Sequence, residues 1–355
     1  MKTKRIAALA LLVAVSACSS QHSGQSGSSA TTGSSTTLVG AGSTFVYPFF
    51  SRAFDAYQKA NSGVTINYQS IGSGGGIQQF TAHTVDFGAT DVPMSAKELS
   101  AVQGGMNSIV EFPVALGGVA VAYDVPGVAS GLVLSPDVLA SIYLGTVKNW
   151  SDPKIGKLNP SAKLPDLAIV VVHRADASGT TYIFTDYLTS VSAGWKARVG
   201  KAKTVSWPAE PSSVGMKGNE GVAGQIKNTP GAIGYVELAY ALETQMTYAS
   251  IVNASGSAVA PSIASVRAAA ATKADVGPGN FSIVNASGKT AYPIAGYTWA
   301  LLYKHYPDAA KQSALCELFH WVETDGQKLA VSIDYVDIPS SVSARAVEAL
   351  GPCTM

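Results

Sequence analysis

"HRADASGTTYIFTDYL", residues 173–188, sets an arginine and two acids around a Ser-Gly-Thr-Thr run that passes directly into Tyr, Ile and Phe. Downstream of the glycine, Ile183, Phe184, Tyr187, Leu188 and Val191 recur at the spacing of one helical face. Ser178 or Thr180 is then the expected helix cap. Upstream, "LAIVVV" (167–172) is a continuous apolar run of the kind that forms a strand covered on both faces. The stretch therefore encodes strand, polar turn and helix start. That geometry aims unpaired backbone N–H groups and the positive end of a helix dipole at one spot, with Arg174 beside it, which suits an anion. The same residues also suit an ordinary capped helix with a surface arginine.

The pattern recurs toward the N-terminus. In "TLVGAGSTFVYPFFSRAFDAYQKAN" (37–61), Thr37 to Val39 suit a strand, and Phe49, Phe50, Ala53, Phe54 and Tyr57 form a helical stripe with Pro48 tolerated in the first turn. In "VTINYQSIGSGGGIQQFTAHT" (64–84), Val64, Ile66 and Tyr68 alternate as a strand does, and the glycines precede a short helix expected from about Ile77. Three helix starts, each opened by small hydroxyl and glycine residues, thus occur in one chain. "VDFGATD" (85–91) reads as a strand ending at Asp91, and "FPVALGGVAVAYDVPG" (112–127) as a long β stretch with a glycine pair. Helices are expected over "SAKELSAVQ", "LSPDVLASIYLG", "DAAKQSALCELFHWVETDG" and "SSVSARAVEAL". Alternating β and α segments imply an α/β fold with largely parallel sheets, whose ligands sit at the carboxyl ends of strands, where all three turns fall.

Composition narrows the function classes. The chain has 355 residues, enough for two domains, with 47% hydrophobic and only 13% charged residues. The formal charge of +1 includes Lys2, Lys4 and Arg5, so the body is close to neutral and offers no expected nucleic-acid-binding face. The N-terminus reads as a processing signal over residues 1–17, basic "MKTKR" followed by apolar "IAALALLVAV", too short to span a bilayer stably. "VSAC" resembles a bacterial lipobox, in which Cys18 is lipidated and becomes the mature N-terminus. Residues 18–36, uncharged and almost without apolar groups, read as a flexible tether. Cys316 and Cys353 are left as a possible disulfide fastening the C-terminal tail, a structural role.

Nucleotide and hydrolase readings fail on detail. "GAGSTF" and "GSGGGI" lack the third glycine of the dinucleotide fingerprint, and "SIVNASGKT" has Ile283 where a P-loop needs its first glycine, so it is better read as a hairpin turn between two strands. His22, His83, His173, His305 and His320 are scattered without metal-ligand spacing, and His173, next to Arg174 in a strand, would face away from it. No metal and no cofactor is expected.

"GAGSTFVYP", "GSGGGIQQFTAHTVDFGATD" and "HRADASGTTYIFTDYL" closely resemble motifs of the PstS family, the periplasmic phosphate-binding proteins of high-affinity phosphate ABC transporters. "IYLGTVKNWSDPKI" and "PGAIGYVELAYA" resemble it too, so coverage runs from about Thr37 to the C-terminal helices. The resemblance implies a type II periplasmic-binding-protein fold, two α/β lobes joined by hinge strands, with lobe one at roughly 37–114 plus 293–355 and lobe two at 115–292. It implies that Thr44, Phe45 through its N–H, Ser73, Asp91, Arg174, Ser178, Gly179 and Thr180 contact phosphate, and that Asp176 holds the Arg174 guanidinium; Ser43 and Ala177 vary within the motifs and are not expected ligands. Charge-assisted bonds contribute roughly 1.5–3 kcal/mol each. Micromolar affinity needs about 8 kcal/mol, so such a set suffices without a lysine or a metal.

The expected function is high-affinity capture of inorganic phosphate, not catalysis, by an exported, membrane-anchored lipoprotein on the periplasmic or cell-surface side, which delivers it to the permease and ATPase of an ABC importer. The alternatives are a sulfate or other oxyanion binder, a phosphatase or esterase using Ser178 or Thr180, and a phosphate sensor or surface protein. Asp91 could instead merely cap the helix after "VPMS".

Overall fold

A computed structural model describes residues 35–208, 212–333 and 335–351. The processing signal, Cys18, the tether up to Ser34 and Cys353 lie outside the described residues. Cys316, buried in the helix Ala309–Glu323, is disulfide-bonded.

The strands in chain order are β1 (Thr36–Gly42), β2 (Val64–Ser70), β3 (Phe87–Thr90), β4 (Ile109–Tyr123), β5 (Val133–Leu134), β6 (Val170–Arg174), β7 (Ser213–Met216), β8 (Ala232–Glu237), β9 (Thr247–Tyr248), β10 (Ser250–Val252), β11 (Ala258–Val259) and β12 (Ala295–Tyr303). The main sheet runs β2-β1-β3-β12-β4-β8-β6-β7, with β9 also on β4, while β11, β10 and β5 form a small second sheet. On one side β1 pairs in parallel with β2 and β3, and on the other β6 pairs in parallel with β7 and β8. The centre departs from the expected parallel pattern, because β12 and β4 pair antiparallel with their neighbours.

The physical reason lies in β4, which is 15 residues long. Its first part, Ile109 to Gly118, pairs with β12, and from Val119 onward it pairs with β8. One strand therefore leaves one parallel half-sheet and enters the other, as the hinge strand of a two-lobed α/β fold does. Nearly every residue of β4 and β12 is buried, as central strands covered on both faces require, and both are correspondingly rich in apolar residues.

Helices cover each half-sheet with the stripes expected of them. Phe49, Phe50, Ala53, Phe54 and Tyr57 are the buried face of the helix Tyr47–Ala60, and Phe50 stacks on Phe54 at 4.5 Å. Ile183, Phe184, Tyr187 and Leu188 are buried in the helix Gly179–Val191, while Val191, the last residue of the expected stripe, is only half-buried at the helix end. Phe184 lies flat on Tyr235 of β8 at 4.5 Å, so the apolar face of this helix and the middle of the sheet form one layer beneath the polar turn.

Two local expectations change. The helix expected from Ile77 begins at Ser73, with Gly74, Gly75 and Gly76 inside it. Glycine is a poor helix former, but here the backbones leave no alternative: a Cβ on Gly76 would lie 2.4 Å from the Gly42 Cα, and one on Gly74 would lie 2.4 Å from the Ala177 Cβ. The segment Ser282–Thr290, expected as a hairpin between strands, forms no strand. Its chain is held instead by Asn253, whose Nδ2 donates to Gly288 O at 2.9 Å and Ala291 O at 3.0 Å, and by Asn285 N–H to Pro293 O at 2.8 Å. Side-chain bonds replace the ladder that the turn residues suggested.

Candidate functional site

The polar turns at the ends of β1, β3 and β6 meet across the two halves of the sheet. Ser73 begins one helix and Gly179 another; Ser73 Oγ accepts the Gly179 N–H at 3.1 Å and the Asp91 N–H at 3.1 Å. Gly74 N–H donates to Ala177 O at 2.9 Å, again from one half to the other. Lys203 and Glu98 add an ion pair of 2.6 Å between the halves.

Arg174 closes β6 and is 4% exposed although charged. Its backbone N–H donates to the Tyr235 hydroxyl at 3.1 Å, and that hydroxyl also shares a proton with Thr181 Oγ1 at 2.7 Å, so the aromatic layer fixes where the arginine leaves the strand. The guanidinium makes a two-point contact with Asp176, through Nε to Oδ1 at 2.8 Å and through its second terminal nitrogen to Oδ2. Asp176 also accepts the Gly218 N–H at 3.1 Å. Burial works to raise the Asp176 pKa, but the bonds and charge of Arg174 outweigh it and hold the carboxyl below its usual range. Arg174 thus keeps a firmly ionised partner on one edge and a terminal nitrogen, 3.5 Å from Thr180 Oγ1, on the other. His173 faces away, its ring stacked on Trp207 at 4.9 Å.

Asp91 follows β3 and is 2% exposed. It does not cap the next helix: Ser95 caps it in a reciprocal box with Glu98. Oδ1 of Asp91 accepts the hydroxyls of Ser43 and Thr298, the latter at 2.7 Å, and Oδ2 accepts only a long bond of 3.3 Å from Ser73. Both lone pairs of Oδ1 are therefore engaged, while Oδ2 keeps acceptor capacity. Burial pushes its pKa up to about 6, against the lowering pull of the Ser43 and Thr298 bonds and of Arg174.

The remaining candidates fall in place around these. Ser178, not Thr180, is the cap of the Gly179–Val191 helix, accepting the Thr181 N–H at 3.1 Å. Phe45 N–H donates to Ser43 Oγ at 3.0 Å, just before the helix Tyr47–Ala60, and neither that helix nor the Ser73–Thr81 helix has a side-chain cap. Thr44 and Thr180 are both fully or almost fully buried and both contact Asn219. All eight expected contact residues and Asp176 are thus brought to one region.

Asn219 escaped the sequence reading, as did Thr298 and the fourth helix start, Gly218–Lys227, whose first N–H groups reach Asp176 and Thr44. A Lys-Gly-Asn run ahead of the "GVAGQIK" stripe was the available signal, the same small-residue opening found at the other three. Thr298 offered none, being one residue in the buried run of β12.

The region has a definite electrostatic character. One buried guanidinium and the positive ends of four helices converge there, so it attracts negative charge, while Asp91 marks a single point at which a proton donor is wanted. Closure also has a steric requirement: a Cβ on Gly179 would lie 2.5 Å from the Asp91 side chain and 2.6 Å from Ser73 Oγ. Gly179→Ala is expected to leave each half folded but hold them apart, weakening ligand binding by about 1–3 kcal/mol. Small-angle scattering together with a ligand titration checks this, and unchanged affinity in a fully closed variant would contradict it.

Such a fold and such a cleft define a two-lobed solute-binding protein of the periplasmic-binding-protein class, and the PBP superfamily domain matches residues 27–315. The chain belongs to the PstS family of phosphate-binding proteins. It is 43% identical over 310 residues to the phosphate-binding protein PstS of Pasteurella multocida, covering 86% of this chain and 87% of that one. It is 41% identical over 356 residues to PstS of Xylella fastidiosa, covering 96% and 95%. Among solved structures, the phosphate-binding protein of Stenotrophomonas maltophilia shares the fold with a TM-score of 0.68 at 18% identity, covering 88% of this chain and 94% of that one. A high-affinity periplasmic phosphate-binding protein solved with phosphate (PfluDING) gives a TM-score of 0.69 at 22% identity, covering 87% and 92%.

Proposed function

We propose that this protein binds inorganic phosphate between its lobes and delivers it to the permease and ATPase subunits of an ABC importer. The observation that carries the reading is Asp91, a buried carboxylate beside a buried arginine, since among oxyanions the site then favours one that brings its own proton. Thr44, Phe45, Ser73, Asp91, Arg174, Ser178, Gly179 and Thr180 are the proposed phosphate contacts, with Asp176 holding the arginine. The lobes are taken as 37–114 with 293–355, and 115–292, turning about β4 and β12. An exported protein tethered through lipidated Cys18 fits the order of basic, apolar and small residues ahead of that cysteine.

Binding without turnover is supported by the partners of the two hydroxyls a hydrolase would use. Ser178 Oγ accepts a backbone N–H, and Thr180 Oγ1 faces N–H donors of Arg174 and Asn219, so the groups facing these hydroxyls are proton donors and not bases. Calorimetric titration of purified protein with phosphate and with sulfate tests the proposal, alongside an assay for phosphomonoester hydrolysis. Tight phosphate binding, weak sulfate binding and no hydrolysis are expected. Equal binding of the two anions would overturn the phosphate reading, and hydrolysis abolished by Ser178→Ala would overturn the pure binding reading.

A further inference from the structure

Asn219 is fully buried and its amide orientation is dictated by its neighbours. Oδ1 receives the Glu237 backbone N–H at 2.9 Å, and a backbone N–H can only donate. The nitrogen end must therefore face the other way, toward Thr44 Oγ1 at 2.8 Å and Thr180 Oγ1 at 3.1 Å. One amide group thus donates to two threonine hydroxyls that belong to opposite halves of the sheet.

The hydroxyls are then nearly saturated as acceptors. Thr44 Oγ1 also takes the Asn219 backbone N–H at 3.2 Å, and Thr180 Oγ1 takes a guanidinium N–H of Arg174 at 3.5 Å. A hydroxyl has two acceptor positions and one proton. Thr44 Oγ1 has both acceptor positions used, and Thr180 Oγ1 has one taken by Asn219 and the other faced by the longer Arg174 contact, so in each the proton is left for another acceptor.

We propose that Asn219 is a positioning residue that locks the Thr44 and Thr180 hydroxyls as proton donors toward the bound anion, an inference that rests on the phosphate reading above. A free threonine hydroxyl rotates and can offer either a lone pair or a proton; these two can offer only a proton. Because Thr44 sits after β1 while Asn219 opens the helix after β7, the lock on Thr44 is completed only when the two halves meet. Asn219 therefore ties lobe closure to the donor polarity of the cleft.

A double-mutant cycle tests this. Phosphate affinity is measured by calorimetry for wild type, Asn219→Ala, Thr44→Val, Thr180→Val and the two double variants that pair Asn219→Ala with each threonine change. Asn219→Ala is expected to weaken phosphate binding by about tenfold to a hundredfold. Each double variant should lose clearly less than the product of its single losses, because the asparagine acts through the hydroxyl that is already gone. If Asn219→Ala folds poorly by thermal melting, Asn219→Ser, which keeps the backbone donor and a smaller polar group, takes its place in the cycle. Multiplicative losses, the result of a merely structural role, or an Asn219 variant that binds as tightly as wild type, would overturn the proposal while leaving the phosphate reading intact. A wild-type protein that shows no phosphate binding would remove both.

Discussion

Arg174→Ala is expected to lower phosphate affinity by about 2–5 kcal/mol in a calorimetric titration, the largest loss from any single replacement in the cleft. The magnitude follows from what is left behind. The Arg174 side chain is 1% exposed and carries the buried positive charge against which Asp176 is held, with Asp91 close enough to feel it. Without it an incoming anion would meet the buried carboxyl of Asp91, the part-buried carboxyl of Asp176 and only the partial charges of helix ends and hydroxyls. Arg174→Lys is expected to be weak as well, because an ammonium cannot bond Asp176 at two points and still present a directed donor to the anion. Asp176→Asn should have a smaller effect in the same direction, since it loosens the arginine without removing its charge. An Arg174→Ala variant that binds phosphate as tightly as wild type would place the anion elsewhere.

Asp91→Asn is expected to narrow discrimination between phosphate and sulfate, chiefly through a gain in sulfate affinity. At neutral pH phosphate keeps at least one proton and sulfate has none. Two hydroxyls occupy Oδ1 of Asp91, which leaves Oδ2, with its single long contact to Ser73, to accept that proton in a short charge-assisted bond. Sulfate would bring a lone pair against a lone pair beside a carboxylate that is only 2% exposed, at a cost of several kcal/mol. Asparagine can present an N–H to either anion, so the distinction fades.

The same chemistry has a pH dependence with a definite sign. Burial sets the Asp91 pKa of the free protein at about 6, above the usual carboxylate range, so the group is ionised above that pH and increasingly protonated below it. A protonated carboxyl can donate. Wild-type sulfate affinity is therefore expected to rise as pH falls through about 6, while the Asp91→Asn variant shows no such rise. Paired titrations with both anions above and below that pH decide the matter; unchanged selectivity in the variant would remove Asp91 from the mechanism.

Local chemistry was legible where its cause is local. Helical stripes such as Phe49, Phe50, Ala53, Phe54 and Tyr57, and the run at Ile183, Phe184, Tyr187 and Leu188, are buried as their spacing requires, because amphipathic period is a property of neighbouring residues. The hydroxyl and glycine openings of three helices, with Arg174 at the end of a strand, were equally visible, since a helix start with free N–H groups is a short-range feature. Even so, the sequence left open whether Ser178 or Thr180 is the cap, a choice that turned on which hydroxyl faces the Thr181 N–H.

What only the tertiary structure decided concerns partners far apart in the chain. Nothing near Asp91 in sequence announces that Thr298, on β12, donates to it, or that Asn219 would bridge Thr44 and Thr180. The glycines at 74 to 76 looked like a loop, because their reason for being helical is the approach of Gly42 and Ala177 from other segments. The apparent hairpin at Ser282–Thr290 was resolved against a strand by the amide of Asn253, and the central antiparallel pairing by the passage of β4 between half-sheets. Sequence by itself determined the elements and the residue types able to bind an anion; folding decided which lone pairs and protons face one another, because hydrogen-bond direction depends on contacts that no local pattern encodes.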